Sequence, residues 1–176
     1  MDSTHRLVPL FTSQQIASRI SELAAEIKRD YHDRCPLMLG VLKGSFVFLA
    51  DLVRQLDFPV ELDFIRVASY GAGQETSGRV KLLSEPVAAV EGRHVLLVED
   101  IVDSGITTDF INGWLKAKGT ASVKLCALLD KPSRRRREVG VDYRGFVVPD
   151  RFVVGYGLDM DEKYRNLPGI SVLNGE

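Results

Sequence analysis

The stretch Val95-Leu96-Leu97-Val98-Glu99-Asp100-Ile101-Val102-Asp103-Ser104-Gly105-Ile106-Thr107-Thr108 changes character twice. Residues 94–98 read as a short strand buried on both faces, the kind found inside a parallel sheet. A polar, hydroxyl-rich loop follows it. From about residue 107 to 118 the pattern is helical, and Gly119 stops it.

Outward from this stretch the alternation repeats. On the N-terminal side, residues 13–32 place Ile16, Ile20, Leu23, Ala24 and Ile27 on one helical face, and Thr12 and Gln15 have capping-box spacing. Residues 37–42 form a continuous apolar run, and after Lys43-Gly44-Ser45 a second helical segment spans 46–55. Residues 60–68 read as a strand, 69–78 as a polar Gly-rich tip, and 80–83 as its return. On the C-terminal side come strands at 122–129, 145–148, 152–156 and 170–173. Strands alternating with helices imply right-handed crossovers, so the fold class is α/β with a mostly parallel central sheet flanked by helices.

Composition bounds the function. The chain of 176 residues has the size of one domain, with 23 basic against 24 acidic residues and a formal charge of −1. A chain so nearly neutral is not expected to bind nucleic acid as its main task. No apolar run reaches the ~18–20 residues of a membrane span. The start, Met1-Asp2-Ser3-Thr4-His5-Arg6, lacks a signal peptide's apolar segment. A cytoplasmic protein is expected, with Cys35 and Cys126 as buried free thiols. His5, His32 and His94 are scattered, and no Cys/His pair has zinc-ligand spacing. Neither G-x-G-x-x-G after a strand nor G-x-x-x-x-G-K-[ST] occurs, and Ser45 and Ser104 lack a hydrolase elbow.

In open α/β sheets ligands bind beyond the carboxyl ends of the strands. There, Glu99 and Asp100 put two carboxylates side by side, suited to ribose hydroxyls. The hydroxyl-rich half, opening a helix, suits a phosphate. The same residues also read as strand and helix caps. Lys43 reads equally as a solvated lysine, Phe152 as core, Asp159 and Arg165 as surface charge, and Arg134-Arg135-Arg136-Arg137 as a solvated basic turn.

The 95–108 stretch resembles the phosphoribosyl-pyrophosphate motif of type I phosphoribosyltransferases. Three flanking segments narrow the resemblance to the hypoxanthine-guanine phosphoribosyltransferases. Leu42-Lys43-Gly44-Ser45 is similar to their pyrophosphate loop, and Ser69-Tyr70-Gly71 to the start of their mobile lid. Residues 150–159 and 164–168 are similar to their C-terminal purine hood. The four segments lie in the family's order between about residues 37 and 168.

The resemblance implies a single domain over 1–176, with a hood formed by the N-terminus and about 130–176. It implies a reaction in which N9 of a 6-oxopurine displaces pyrophosphate from C1 of phosphoribosyl pyrophosphate, dependent on Mg²⁺. Glu99 and Asp100 would bind the ribose hydroxyls, directly or through the metal, with Asp159 as a further metal ligand. Asp103 would be the acid/base residue near purine N7. Asp103, Ser104, Gly105, Ile106, Thr107 and Thr108 would wrap the 5′-phosphate, with Ser104, Gly105, Thr107 and Thr108 as donors. Lys43 and Gly44 would contact pyrophosphate, where the family often has a cis peptide at the position matching Leu42–Lys43, and Arg165 would clamp it. Lys131 would donate to purine O6, Phe152 would stack on the ring, and Val153 would read its edge. Ser69 and Tyr70 would close over the reacting centre. A homodimer or homotetramer is implied. Gly157 stands where relatives often carry Ala, a difference expected to matter little.

Two other readings share the fold. An RNA-binding regulator like the pyrimidine-operon attenuation proteins is disfavoured by Lys131, Phe152 and the low charge. A phosphate-binding module without catalysis is disfavoured by Asp103 and the lid.

Overall fold

The computed structural model describes residues 6–70 and 79–174. Its elements run β1 (Arg6–Phe11), α1 (Ser13–Tyr31), β2 (Leu37–Leu42), α2 (Phe46–Val53), β3 (Glu61–Tyr70) and β4 (Arg79–Ser84). There follow β5 (His94–Val102), α3 (Ile106–Ala117), β6 (Ser122–Asp130), a 3-10 turn (Pro132–Arg134), β7 (Tyr143–Val147), β8 (Val153–Val154) and β9 (Ile170–Asn174).

α1 begins where its capping box predicts. Gln15 N donates to Thr12 Oγ1 at 3.2 Å while Thr12 N donates back to Gln15 Oε1 at 2.9 Å. Its apolar stripe (Ile16, Ile20, Leu23, Ala24 and Ile27) is buried, together with Tyr31. Each Ile or Leu so buried contributes roughly 1.5–3 kcal/mol.

The central sheet has the order β4-β3-β2-β5-β6-β7. All neighbours are parallel except the edge pair β3–β4. Period-two alternation sorts the buried strands onto two faces. Met38, Leu96 and Val98 pack with α1 and α2, whereas Leu37, Leu39, Val95 and Leu97 pack with α3 residues Ile111 and Leu115. A second sheet, β1-β9-β8, joins the two ends of the chain. The sequence gives no strong signal for β1, which carries Pro9 and exists through its antiparallel pairing with β9.

Three further readings change. β5 does not end at Val98. Its ladder continues through Glu99↔Ala127, Ile101↔Leu129 and Val102↔Asp130, so both carboxylates sit within the strand and the loop shrinks to 103–105. The predicted strand at 152–156 shortens to Val153–Val154, because Gly155, Tyr156 and Gly157 turn through positive φ. Cys35 is exposed, and only Cys126 is buried.

β3 and β4 pair antiparallel, as the 69–78 tip requires. The tip itself, 71–78, and the placement of the Ser69 and Tyr70 side chains lie outside the described residues.

Candidate active site

Chain order in the sheet reverses between β2 and β5. β2 leads on to β3 on one side and β5 to β6 on the other. A crevice opens at such a switch point, beyond the carboxyl ends of the strands. Lys43 and Gly44 leave β2 there, residues 99–105 leave β5, and Lys131 leaves β6.

Glu99 and Asp100 are consecutive in a strand and point to opposite faces. Glu99 is buried on the α3 side and accepts from Thr108 Oγ1 at 2.9 Å. Burial, then the neighbouring Asp100 charge, pushes its pKa up to about 8. Asp100 lies on the other face, its carboxylate over Gly44, where any Cβ would overlap it. Burial raises the Asp100 pKa to about 6.

The 103–105 loop opens α3. Gly105 has φ +77, a conformation that favours glycine, and the Arg137 carbonyl occupies the space a side chain would need. The N-cap Gly105 has no side chain to cap α3, and Ser104 Oγ accepts only a long bond, 3.4 Å, from Ile106 N. A hollow of about 110 Å³ lies at that helix end, lined by Ser104, Gly105, Thr107, Thr108 and the Glu99 side. Open helix N–H groups there suit an anion. Thr108 does not offer it a hydroxyl, because that group is turned to Glu99.

Asp103 lines the neighbouring cavity of about 530 Å³. Its Oδ1 is buried without a hydrogen-bond partner, and Arg134 Nε pairs with it at 3.6 Å. Lys131 Nζ stands 3.9 Å from the other carboxylate oxygen and donates to the Arg151 carbonyl at 2.9 Å. Phe152 lines the same cavity and is 52% exposed, so it is not core but an open ring face. Val153 is buried beside it in β8. Asp100, Asp159 and Arg134 also line the cavity.

Arg165 reaches back towards this cavity's rim. Its Nη1 donates to the Gly157 carbonyl at 2.7 Å, and its Nη2 pairs with Asp159 at 2.9 Å and Glu162 at 3.3 Å. Glu162 also accepts from Lys43 Nζ at 2.8 Å. The Leu42–Lys43 peptide is cis.

The fold thus gathers Asp100, Asp103, Lys131, Phe152, Val153 and Asp159 in one cavity. It places Ser104, Gly105, Thr107 and Thr108 around the adjoining hollow, and Lys43, Gly44 and Arg165 near the β2 loop. Ile106 starts α3 at the hollow. Glu99 does not join Asp100 and Asp159, so the three predicted metal carboxylates do not converge. Among the described residues no group of three or more His, Cys, Asp or Glu side chains can hold a metal by itself.

Glu162, Arg135 and Asp130 make contacts that the sequence reading did not assign to them. Glu162 bridges Lys43 and Arg165 from a turn at φ +63. The four-arginine run is not uniformly solvated, since Arg135 turns inward to the buried Asp130. No spacing in the sequence marks any of the three. Gly157 matters more than expected: it has φ +97 and is pressed against the Gly44 carbonyl.

The model of the phosphoribosyl transferase domain matches residues 9–161. The chain belongs to that family. Among relatives of this phosphoribosyl transferase, the hypoxanthine-guanine phosphoribosyltransferase of Bacillus subtilis is 46% identical, covering 93% of this chain and 91% of its own. The bifunctional protein TilS/HprT of Listeria monocytogenes is 48% identical over 95% of this chain, which spans 26% of that protein. A crystal structure of a hypoxanthine-guanine phosphoribosyltransferase from Bacillus anthracis, with HEPES in its active site, superposes with a TM-score of 0.90. It is 44% identical and covers 94% of this chain and 98% of its own.

Proposed function

We propose that this phosphoribosyltransferase serves purine salvage. It makes inosine 5′-monophosphate, and guanosine 5′-monophosphate alike, from a 6-oxopurine and phosphoribosyl pyrophosphate, releasing pyrophosphate. The observation that carries the reading is one cavity lined by the Asp103 carboxylate, a buried ammonium on Lys131 and an open Phe152 face.

The purine stacks on Phe152, with Val153 along its edge. Lys131 donates to O6, which separates 6-oxopurines from adenine, whose amino group there is a donor. Asp103 takes up the imidazole proton on its carboxylate as N9 attacks C1. Ser104, Gly105, Ile106, Thr107 and Thr108 receive the 5′-phosphate at the start of α3. Asp100, with Glu99 behind it, faces the ribose. Lys43, Gly44 and Arg165 hold the departing pyrophosphate, and Ser69 and Tyr70 close over the centre.

Oxygen ligands suit a hard divalent cation, and Asp100 and Asp159 are among the carboxylates that line the cavity. The remaining oxygens come from substrate. Glu99 supports this pair from the opposite face. Asp100 and Asp159 would hold Mg²⁺, which would supply positive charge for the leaving pyrophosphate.

The chain acts as one domain over 1–176, with the N-terminus and about 130–176 as the purine-side hood. The β1-β9-β8 sheet supports this. A cytoplasmic homodimer or homotetramer fits the family. No helix among the described residues is long and apolar enough to cross a membrane.

The test is a steady-state assay with phosphoribosyl pyrophosphate and Mg²⁺, offering hypoxanthine, guanine, xanthine and adenine separately. Turnover of 6-oxopurines without adenine is expected. No turnover with any base overturns the reading.

A further inference from the structure

One member of the arginine run is a structural part of the site. Asp130, the last residue of β6, is buried and faces two guanidinium groups. Arg144 Nε approaches from β7 at 2.8 Å, and Arg135 Nη2 binds the other carboxylate oxygen. Arg135 is itself mostly enclosed, with 12% of its side chain exposed. Its second arm, Nη1, donates to the Asp103 carbonyl at 2.9 Å. The next two residues continue the contact, since Arg136 N and Arg137 N donate to the Ser104 carbonyl at 2.8 and 3.0 Å.

Peptide geometry gives this clamp a direction. In a trans peptide the C=O of one residue and the N–H of the next point opposite ways across one plane. Drawing the Asp103 and Ser104 carbonyls towards 135–137 therefore turns the Ser104 and Gly105 N–H groups away from it. The hollow lined by Ser104, Gly105 and Thr107 adjoins this loop. Successive N–H groups turned one way form an anion-binding concavity.

We propose that Arg135, anchored by Asp130, is a positioning residue that orients the 103–105 peptides towards a phosphate monoester and holds the backbone of Asp103. The inference rests on the reading of 103–108 as the 5′-phosphate cradle. Arg144 is the natural control, because it meets the same carboxylate without reaching the loop. Lysine is the conservative probe, because one ammonium lacks the two-armed fork that spans Asp130 and the Asp103 carbonyl.

Arg135→Ala, Arg135→Lys and Arg144→Ala are compared with the wild type for ribose 5-phosphate affinity, thermal midpoint, and KM for each substrate. Both Arg135 variants should bind ribose 5-phosphate about tenfold or more weakly and raise KM for phosphoribosyl pyrophosphate, the usual effect of losing a charge-assisted bond. Arg144→Ala should bind within twofold of wild type even where its midpoint falls. Arg135→Lys should keep its midpoint near wild type, so it carries the test if Arg135→Ala does not fold. Equal weakening by Arg144→Ala, or wild-type affinity in Arg135→Lys, overturns the proposal. A wild type that turns over no purine overturns the purine reading instead, while the sugar-phosphate comparison still judges Arg135.

Discussion

A side chain on Gly157 would overlap the carbonyl oxygen of Gly44, so the hood turn and the pyrophosphate loop meet backbone to backbone. The φ of +97 at Gly157 adds a conformation L residues rarely adopt. Gly157→Ala should therefore lower stability by about 1–3 kcal/mol, in the range of local strain at such positions. It should also raise KM for phosphoribosyl pyrophosphate by displacing Gly44. Urea unfolding and steady-state kinetics check this, and an unchanged midpoint would show that the two loops separate freely.

Asp103→Asn should reduce turnover by ~10²-fold or more, the usual worth of general acid–base catalysis. The side chain is 41% exposed, so the fold should hold. Single-turnover rates measured beside circular dichroism separate the two effects; wild-type turnover would remove Asp103 from the mechanism.

Glu99 sets a pH dependence in the ligand-free, metal-free protein. Its folded pKa of about 8 lies above the ordinary 4.5, so the folded chain keeps a proton that the unfolded chain releases. Stability from this group is full at low pH and declines as pH rises from about 4.5 through about 8. Asp100, raised from 3.8 to about 6, acts in the same sense over a lower window. Glu99→Gln keeps an acceptor for Thr108 and should flatten the decline between roughly pH 6 and 9. Urea midpoints across that range give the answer; parallel curves for variant and wild type would contradict it.

Lys131→Ala should cut kcat/KM for hypoxanthine by roughly tenfold to a hundredfold, the effect of losing a charged donor. KM for phosphoribosyl pyrophosphate should change little, because Lys131 faces the base cavity. A loss shared equally by both substrates would place its role elsewhere.

Glu162 occupies the two cations, Lys43 and Arg165, that pyrophosphate is proposed to need. Glu162→Gln should therefore lower the inhibition constant of pyrophosphate by about two- to fivefold, a modest effect because the pairs are exposed. Weaker inhibition would mean that Glu162 helps to hold these cations in place.

The central sheet was legible because β2 and β5 are covered on both faces and carry continuous apolar runs. The end of β5 was not. Polar Glu99 and Asp100 break the run, yet the ladder to β6 is a backbone property and continues beneath them. β1 needs a partner from the opposite end of the chain, which no local pattern reveals. Asp103, Lys131, Phe152 and Asp159 were singled out by motif, and the fold brings them to one cavity. Arg135 is one of four consecutive arginines, and only burial against Asp130 distinguishes it. The turn of Thr108 towards Glu99 likewise depends on which face of β5 each carboxylate takes.

Arg6 and Asn174 oppose one another in the β1–β9 ladder. Opposed residues in such a pair lie only ~5 Å apart between Cα atoms. The described chain therefore enters and leaves at one spot on the surface. A host protein could carry this domain inside a single surface loop, with a short spacer on each side. By the same geometry, a circular permutant joined across that ladder and reopened near Val87, which is 97% exposed, should rebuild both sheets.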